Sequence, residues 1–300
     1  RNQFEFSKRF AWDLEDFPAG FSSWSSEPVV LRDIDCNDGG EGHSFVTGVT
    51  TVNRIGYLQR FVSDWLSTKS TSANSTLIVA DDGSSDGTLE WLEELEIKNS
   101  RLIVIRNNGS GIARQSNSIL DAISKMKNDV DAVFMCNDDI RFLESGWDVA
   151  YFESMQSSGF DHLVYFNPQW KEPSHFEEFQ GDADLVSFCT PRDAMGCFYT
   201  LTPNLIERLG FFDEASFPVR GHSHVDYTMR ACRCEANDGQ FLFDVKNSNT
   251  LIGMVLRDGY KRTFRTLSVK EMHSITSENE LAKRETVLLT EDRTFVPRGW

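Results

Sequence analysis

From residue 45 onward the sequence alternates short apolar runs with amphipathic stretches, a pattern open to few folds. Residues 45–51 read as a strand, and 55–67 as a helix with Leu58, Phe61, Val62, Trp65 and Leu66 on one side. A second strand at 76–80 leads into the turn Asp81-Asp82-Gly83-Ser84-Ser85-Asp86-Gly87-Thr88. There Asp86 or a neighbouring serine is placed to cap a helix over 88–96. A strand at 101–106, a helix at 111–127 and a strand at 130–136 complete the series. Strands and helices at this spacing imply parallel pairing through right-handed crossovers, hence an α/β fold with a Rossmann-like, mostly parallel sheet flanked by helices. The second half is less regular. It holds strands near 163–167, 185–190 and 196–202, helices at 203–209 and about 225–235, and a loop-rich tail. Residues 1–44 lack periodicity and read as an irregular extension or a linker from a preceding module.

The fourth strand ends abruptly in Asn137-Asp138-Asp139. In an open α/β sheet, ligands bind at the carboxyl ends of the strands. Adjacent carboxylates repel, so the pair calls for a cation or a donor-rich ligand. Mg²⁺ or Mn²⁺ carrying a diphosphate meets that need, because these ions bind through one or two carboxylates plus substrate phosphates. The plainer alternative is a solvated Asp-Asp turn. A net charge of −16 argues against nucleic acid as partner, since phosphate backbones need basic stripes. It leaves room for a single nucleotide. No apolar run reaches the ~18 residues of a membrane span. The six cysteines fit reduced thiols in a cytoplasmic protein. Cys232 and Cys234 after His222 and His224 match no common zinc spacing. The chain starts at Arg1 without methionine, consistent with a module of a larger multidomain chain.

Four segments together resemble the nucleotide-sugar glycosyltransferases of the GT-A fold, particularly family 2. They are Thr50-Thr51-Val52-Asn53, the aspartate-rich turn 79–88, Asn137-Asp138-Asp139 as an xDD form of the DxD motif, and Gly196 to Arg230. The resemblance covers about residues 45–235. It implies a GT-A core over 45–240, with a nucleotide-binding half at 45–140 and an acceptor half at 141–240. Irregular N- and C-terminal extensions at 1–44 and 241–300 would flank it. By this resemblance Thr50, Thr51, Asn53, Asp81, Asp82, Arg114, Asn137, Asp138 and Gly196 hold the nucleotide-sugar. Asp139 ligates Mn²⁺ or Mg²⁺, and His273 completes the metal site. Trp147, Trp170 and Tyr199 are candidates for a wall stacking on sugar rings, against the simpler expectation of core packing.

The acceptor side departs from the family pattern. Inverting members place an acidic pair before the Val-Asp stretch, and its second member is the general base. Here Ser223 and His224 occupy those positions, while Asp226 and Arg230 are kept. His224 can take a proton near neutral pH. Asp213, Glu214 and Asp226 are the competing bases, and an Asp226–Arg230 pair at i,i+4 is also ordinary helix stabilisation. The resemblance thus implies transfer of a sugar from a nucleoside-diphosphate sugar to a hydroxyl acceptor, a glycan, with inversion. The alternatives are a catalytically silent nucleotide-sugar-binding module and a sugar-phosphate nucleotidyltransferase. Against the latter, the segment after the first strand lacks the expected glycines.

Overall fold

Strands buried on both faces determine the architecture of the computed structural model, which describes residues 42–108, 111–126, 130–166, 175–217, 223–237, 239–255 and 293–297. All of these lie in one unit, Arg32–Trp300. The first half runs β1 (Ser44–Thr51), α1 (Ile55–Thr68), β2 (Asn74–Asp81), α2 (Thr88–Lys98), β3 (Leu102–Arg106), α3 (Ile112–Ser124) and β4 (Ala132–Asn137). The second half runs β5 (Ile140–Phe142), α4 (Trp147–Ser158), β6 (Glu177–Glu178), β7 (Leu185–Cys189), β8 (Phe198–Leu201) and α5 (Pro203–Leu209). It ends with α6 (Ser223–Arg233), β9 (Leu242–Val245), α7 (Ser248–Leu251) and β10 (Ile252–Met254).

The central sheet has the order β3-β2-β1-β4-β8, parallel except for the antiparallel edge strand β8. β1 and β2 are buried along nearly their whole length, as expected of parallel strands covered on both faces. The polar Thr47 is accommodated because Trp65 Nε1 donates to its hydroxyl at 2.9 Å. Gly48 marks where α3 lies hard against β1: a Cβ there would stand 2.6 Å from Ile119 Cγ2. The chain moves outward from β1 to β3, then crosses back to β4 on the other side of β1. The switch point of the sheet therefore falls between the ends of β1 and β4, where Thr50 pairs with Asn137.

The first-half elements fall within a few residues of their expected bounds. The second half differs more. The strand expected near 163–167 is a single bridge, Val164 to Tyr199. Helix α4, absent from the sequence reading, buries Trp147, Asp148, Tyr151, Phe152, Ser154 and Met155. Its Asp148 carboxylate accepts from Ser70 N at 2.9 Å. Trp147 stacks on Phe142 with centroids 4.1 Å apart, and both Trp147 and Tyr199 are core residues rather than a sugar-stacking wall. Trp170 lies outside the described residues. Strand β9, expected in a packing extension, instead pairs with β7, and β10 pairs with β5. These pairings carry the woven core past residue 240 to Met254.

His162 ties the sheet to α6. Its Nδ1 donates to Thr200 O at 2.9 Å, and its Nε2 accepts from the Thr228 hydroxyl at 3.1 Å. Burial lowers its pKa from 6.5 to about 4, the bond to Thr200 only partly opposing this. The folded ring thus stays neutral where the unfolded one takes a proton. The stability this neutral ring contributes is present above pH 6.5 and is lost as pH falls towards 4, at about 1.4 kcal/mol per pH unit. Urea unfolding across that window should show the acid limb, and His162→Gln should flatten it. An equally steep limb in the variant would contradict the assignment.

Candidate functional site

At the switch point the main chain brings three charged side chains together. Asp138 and Asp139 follow β4 and are buried, at 2% and 7% exposure. Arg54, in the loop after β1, reaches both: Nη1 lies 2.7 Å from Asp138 Oδ1, and Nη2 donates to Asp139 Oδ2 at 3.1 Å. The Thr51 hydroxyl donates to Asp138 Oδ2 at 2.7 Å. The guanidinium carbon sits 4.5 Å from the centre of the Tyr57 ring, a cation–π contact. Burial pushes both carboxyls above the usual range, against the pull of Arg54 on each, and Asp139 raises Asp138 further. Burial opposes the charge on Arg54 as well, but the two aspartates outweigh it and raise its pKa. Asp139 Oδ1 and Arg54 Nε are both buried with no hydrogen-bond partner among the described residues.

The loops around this lip are stitched to one another. Asn53 adopts a left-handed conformation (φ 52), which asparagine tolerates better than most residues. Its Oδ1 accepts from Ser85 N at 2.7 Å, and its own N–H donates to the Ser84 hydroxyl at 2.8 Å. Asp81 turns inward and accepts from Gly83 N, Ser84 N and the Ser84 hydroxyl. Asp82 accepts from Gly111 N at 2.9 Å, joining the lip of β2 to the start of α3. Asp86 accepts from both Ile55 N and Thr88 N, serving the first turns of α1 and α2. Thr51, Asn53, Asp81 and Asp82 thus stand at the strand ends where the sequence put them, and their hydrogen bonds shape the loops. Thr50 is buried at the end of β1.

The second half of the chain meets the lip through Gly196 and Cys197. Asn137 N donates to Cys197 O at 2.9 Å. Burial, then the charge of Asp139, push the Cys197 thiol upward. His224, near the start of α6, packs its ring on Gly196: a Cβ at Gly196 would lie 2.4 Å from His224 Cγ. His224 Nε2 donates to Ala194 O at 3.1 Å, which leaves the lone pair of the neutral ring on Nδ1.

The three carboxylates competing with His224 have other bonds. Asp213 accepts from Ser216 N at 3.0 Å and from Arg293 Nη2 at 2.7 Å. Burial would raise its pKa, but those bonds prevail and lower it. Glu214 accepts from Asn117 Nδ2 at 2.7 Å and stands 3.4 Å from Arg114 Nε. Arg114 is therefore turned to α3's contact with the loop at Glu214. Asp226 pairs with Arg230 at 2.9 Å inside the core, and Arg230 also donates to Leu209 O and Phe211 O. His273 lies outside the described residues.

The residue that sequence reasoning missed is Arg54. The signal was an arginine three residues beyond the first strand, at the strand end where ligands bind. No cluster of three or more His, Cys, Asp or Glu able to hold a metal occurs among the described residues. The unpartnered Asp139 oxygen fits a divalent cation that arrives with its own phosphate ligands, rather than a ready-made cage.

A mostly parallel sheet of this order with carboxylates at its switch point defines a GT-A-type nucleotide-sugar glycosyltransferase fold. Solved structures that share it include the following three. A mannosyltransferase from Pyrobaculum calidifontis, in complex with GDP-Man and Mn²⁺, is 14% identical with a TM-score of 0.50, covering 73% of this chain and 59% of its own. TarS of S. aureus, residues 1–349, is 14% identical with a TM-score of 0.50, over 81% of this chain and 72% of its own. GalNAc-T7 with UDP, GalNAc and Mn²⁺ is 11% identical with a TM-score of 0.55, over 84% and 58%. An uncharacterized glycosyltransferase of Acanthamoeba polyphaga mimivirus is 26% identical over 179 residues, which are 60% of this chain and 67% of that one. The chain spans less than two thirds of the mannosyltransferase and of GalNAc-T7. The model of Glycosyl transferase family 2 matches residues 47–238, and the chain belongs to that family.

The packing at Gly196 gives a direct check. Gly196→Ala places a methyl against the root of the His224 side chain, which cannot swing away, so α6 or the loop must shift. An overpacking cost of about 1–3 kcal/mol should lower the thermal midpoint, and the His224 imidazole NMR signals should move. Unmoved signals would show that the two residues do not touch.

Proposed function

We propose that this chain transfers a sugar from a nucleoside-diphosphate sugar to a hydroxyl acceptor in a metal-dependent, inverting reaction, and that the acceptor is a glycan. The observation that carries this reading is the buried Asp138–Asp139 pair at the switch point, with one Asp139 oxygen unpartnered. Solved relatives of the same fold with bound GDP-Man or UDP and Mn²⁺ support it.

Asp139 would hold the metal through Oδ1. Bound Mn²⁺ or Mg²⁺ would supply neutralisation of the charge that builds on the diphosphate leaving group. Asp138, braced by Thr51, keeps the lip in register and would bond the donor's ribose. The loops carrying Asn53, Asp81 and Asp82 present the nucleotide platform. The Gly196 backbone, lacking a side chain, lets the donor sugar approach.

His224 is the general base in this reading. It lies against Gly196, and Nδ1 bears the lone pair that takes the acceptor hydroxyl's proton as the new bond forms. Asp213 and Asp226 serve instead to hold Arg293 and Arg230. One base and one displacement give inversion at the anomeric carbon.

Two measurements test the reading. UDP or GDP should raise the thermal midpoint only with Mn²⁺ present, by about 2.7 kcal/mol of stability at 100 times Kd. Asp139→Ala should remove that shift while the protein stays folded, because Arg54 still pairs with Asp138. An unchanged shift would refute the metal role. His224→Ala should lower kcat by roughly 10²–10⁴ and leave donor affinity nearly intact. Near-normal turnover would exclude His224 as base, and a failure to release sugar in the wild type would favour a silent binding module.

A further inference from the structure

Arg54 gives the carboxylate lip a cation of its own. It forks across two residues 84 and 85 positions away, at 2.7 and 3.1 Å, with only 12% of its side chain exposed. The backbone beneath it is fixed, since Arg54 O accepts from Tyr57 N and Leu58 N at 3.0 Å each, in the first turn of α1.

One buried donor, Arg54 Nε, and one buried acceptor, Asp139 Oδ1, are unsatisfied within this same cluster. Leaving buried polar groups unmade is costly. An anion would satisfy the first and a cation the second. A metal ion alone on Asp139 Oδ1 would stand beside the guanidinium held by Oδ2 of the same carboxylate. Two like charges that close in a buried site repel strongly. A diphosphate placed between them removes the conflict, bonding to the metal on one side and to the guanidinium fork on the other.

We propose that Arg54 is the resident counter-ion of Asp138 and Asp139, that divalent metal and donor displace it together, and that the released guanidinium then binds the donor's diphosphate. This rests on the metal and donor reading above. It makes metal and diphosphate binding mutually reinforcing, because each is hindered until the other is present.

The test is a Mn²⁺ titration followed by the EPR signal of the free ion, with no nucleotide present. It is paired with calorimetric titration of UDP and GDP at saturating Mn²⁺. Arg54→Met should bind Mn²⁺ alone at least ten-fold more tightly than the wild type. Its affinity for the nucleotide should fall at least ten-fold. Arg54→Lys keeps the charge but loses the fork, and should gain about three-fold in Mn²⁺ affinity; it serves if Arg54→Met does not fold. Unchanged or weaker Mn²⁺ binding in the folded variants, with wild-type nucleotide binding intact, overturns the counter-ion assignment and leaves the donor reading standing. A gain in Mn²⁺ binding in the variants, with no nucleotide binding by the wild type, supports the counter-ion assignment and defeats the donor reading.

Discussion

Two carboxylates at the end of a buried strand carry charge that a protein interior does not tolerate alone, and the arrangement of this site follows from how that charge is met. Asp138 and Asp139 cannot retreat to solvent, because β4 ends between β1 and β8 and the loop beyond it is held by β5 and β10. Val255 N donates to Asp139 O at 2.9 Å, pinning the backbone from the far side. Arg54 and the Thr51 hydroxyl supply the compensating positive charge and hydrogen bond. Removing one partner of such a buried pair typically costs about 3–5 kcal/mol, because the other charge is left uncompensated. The lip is therefore a place where buried negative charge is met by Arg54 and by the Thr51 hydroxyl.

The surrounding loops convert that local demand into a preformed platform. Asn53, Ser84, Ser85 and Asp86 join the loop after β1 to the loop after β2, so Arg54 is presented from a fixed position. In the second half of the chain, Asp226, Arg230, Asp213 and Arg293 form an ion network that holds α6 against the backbone of 209–211 and the segment at 293–294. Asp213 and Asp226 thus hold Arg293 and Arg230, and His224 packs on Gly196.

The first half of the fold was legible because each element there carries a single pattern. Strand β4 is a near-continuous apolar run, β2 carries one over 77–80, β1 is rich in β-branched Val and Thr, and α1 presents one apolar face. Helix α4 was not legible, because Trp147, Tyr151 and Met155 bury alongside Asp148 and Ser154 and no one stripe results. Strand β9 was hidden by Asp244, a buried acid in a short apolar run. Its carboxylate accepts from the Tyr151 hydroxyl, Phe166 N and the Ser248 hydroxyl, and burial still pushes it up to about 6. At the site, the acidic residues stood out by spacing, whereas their partners did not. Arg54 meets aspartates more than 80 positions away, and Asn117 meets Glu214 from 97 positions away. Such pairings exist only after the sheet has formed, so a linear reading finds the charges and misses what neutralises them.

The central claim is that the lip between β1 and β4 holds a metal–diphosphate. Diffraction from crystals grown with Mn²⁺ and the bound nucleoside diphosphate, recorded at the manganese absorption edge, tests it most directly. The account predicts an anomalous peak at coordination distance from Asp139 Oδ1, with the diphosphate on its open side. A bound nucleotide with no manganese at Asp139, or manganese held elsewhere while Arg54 keeps both carboxylates, would contradict it.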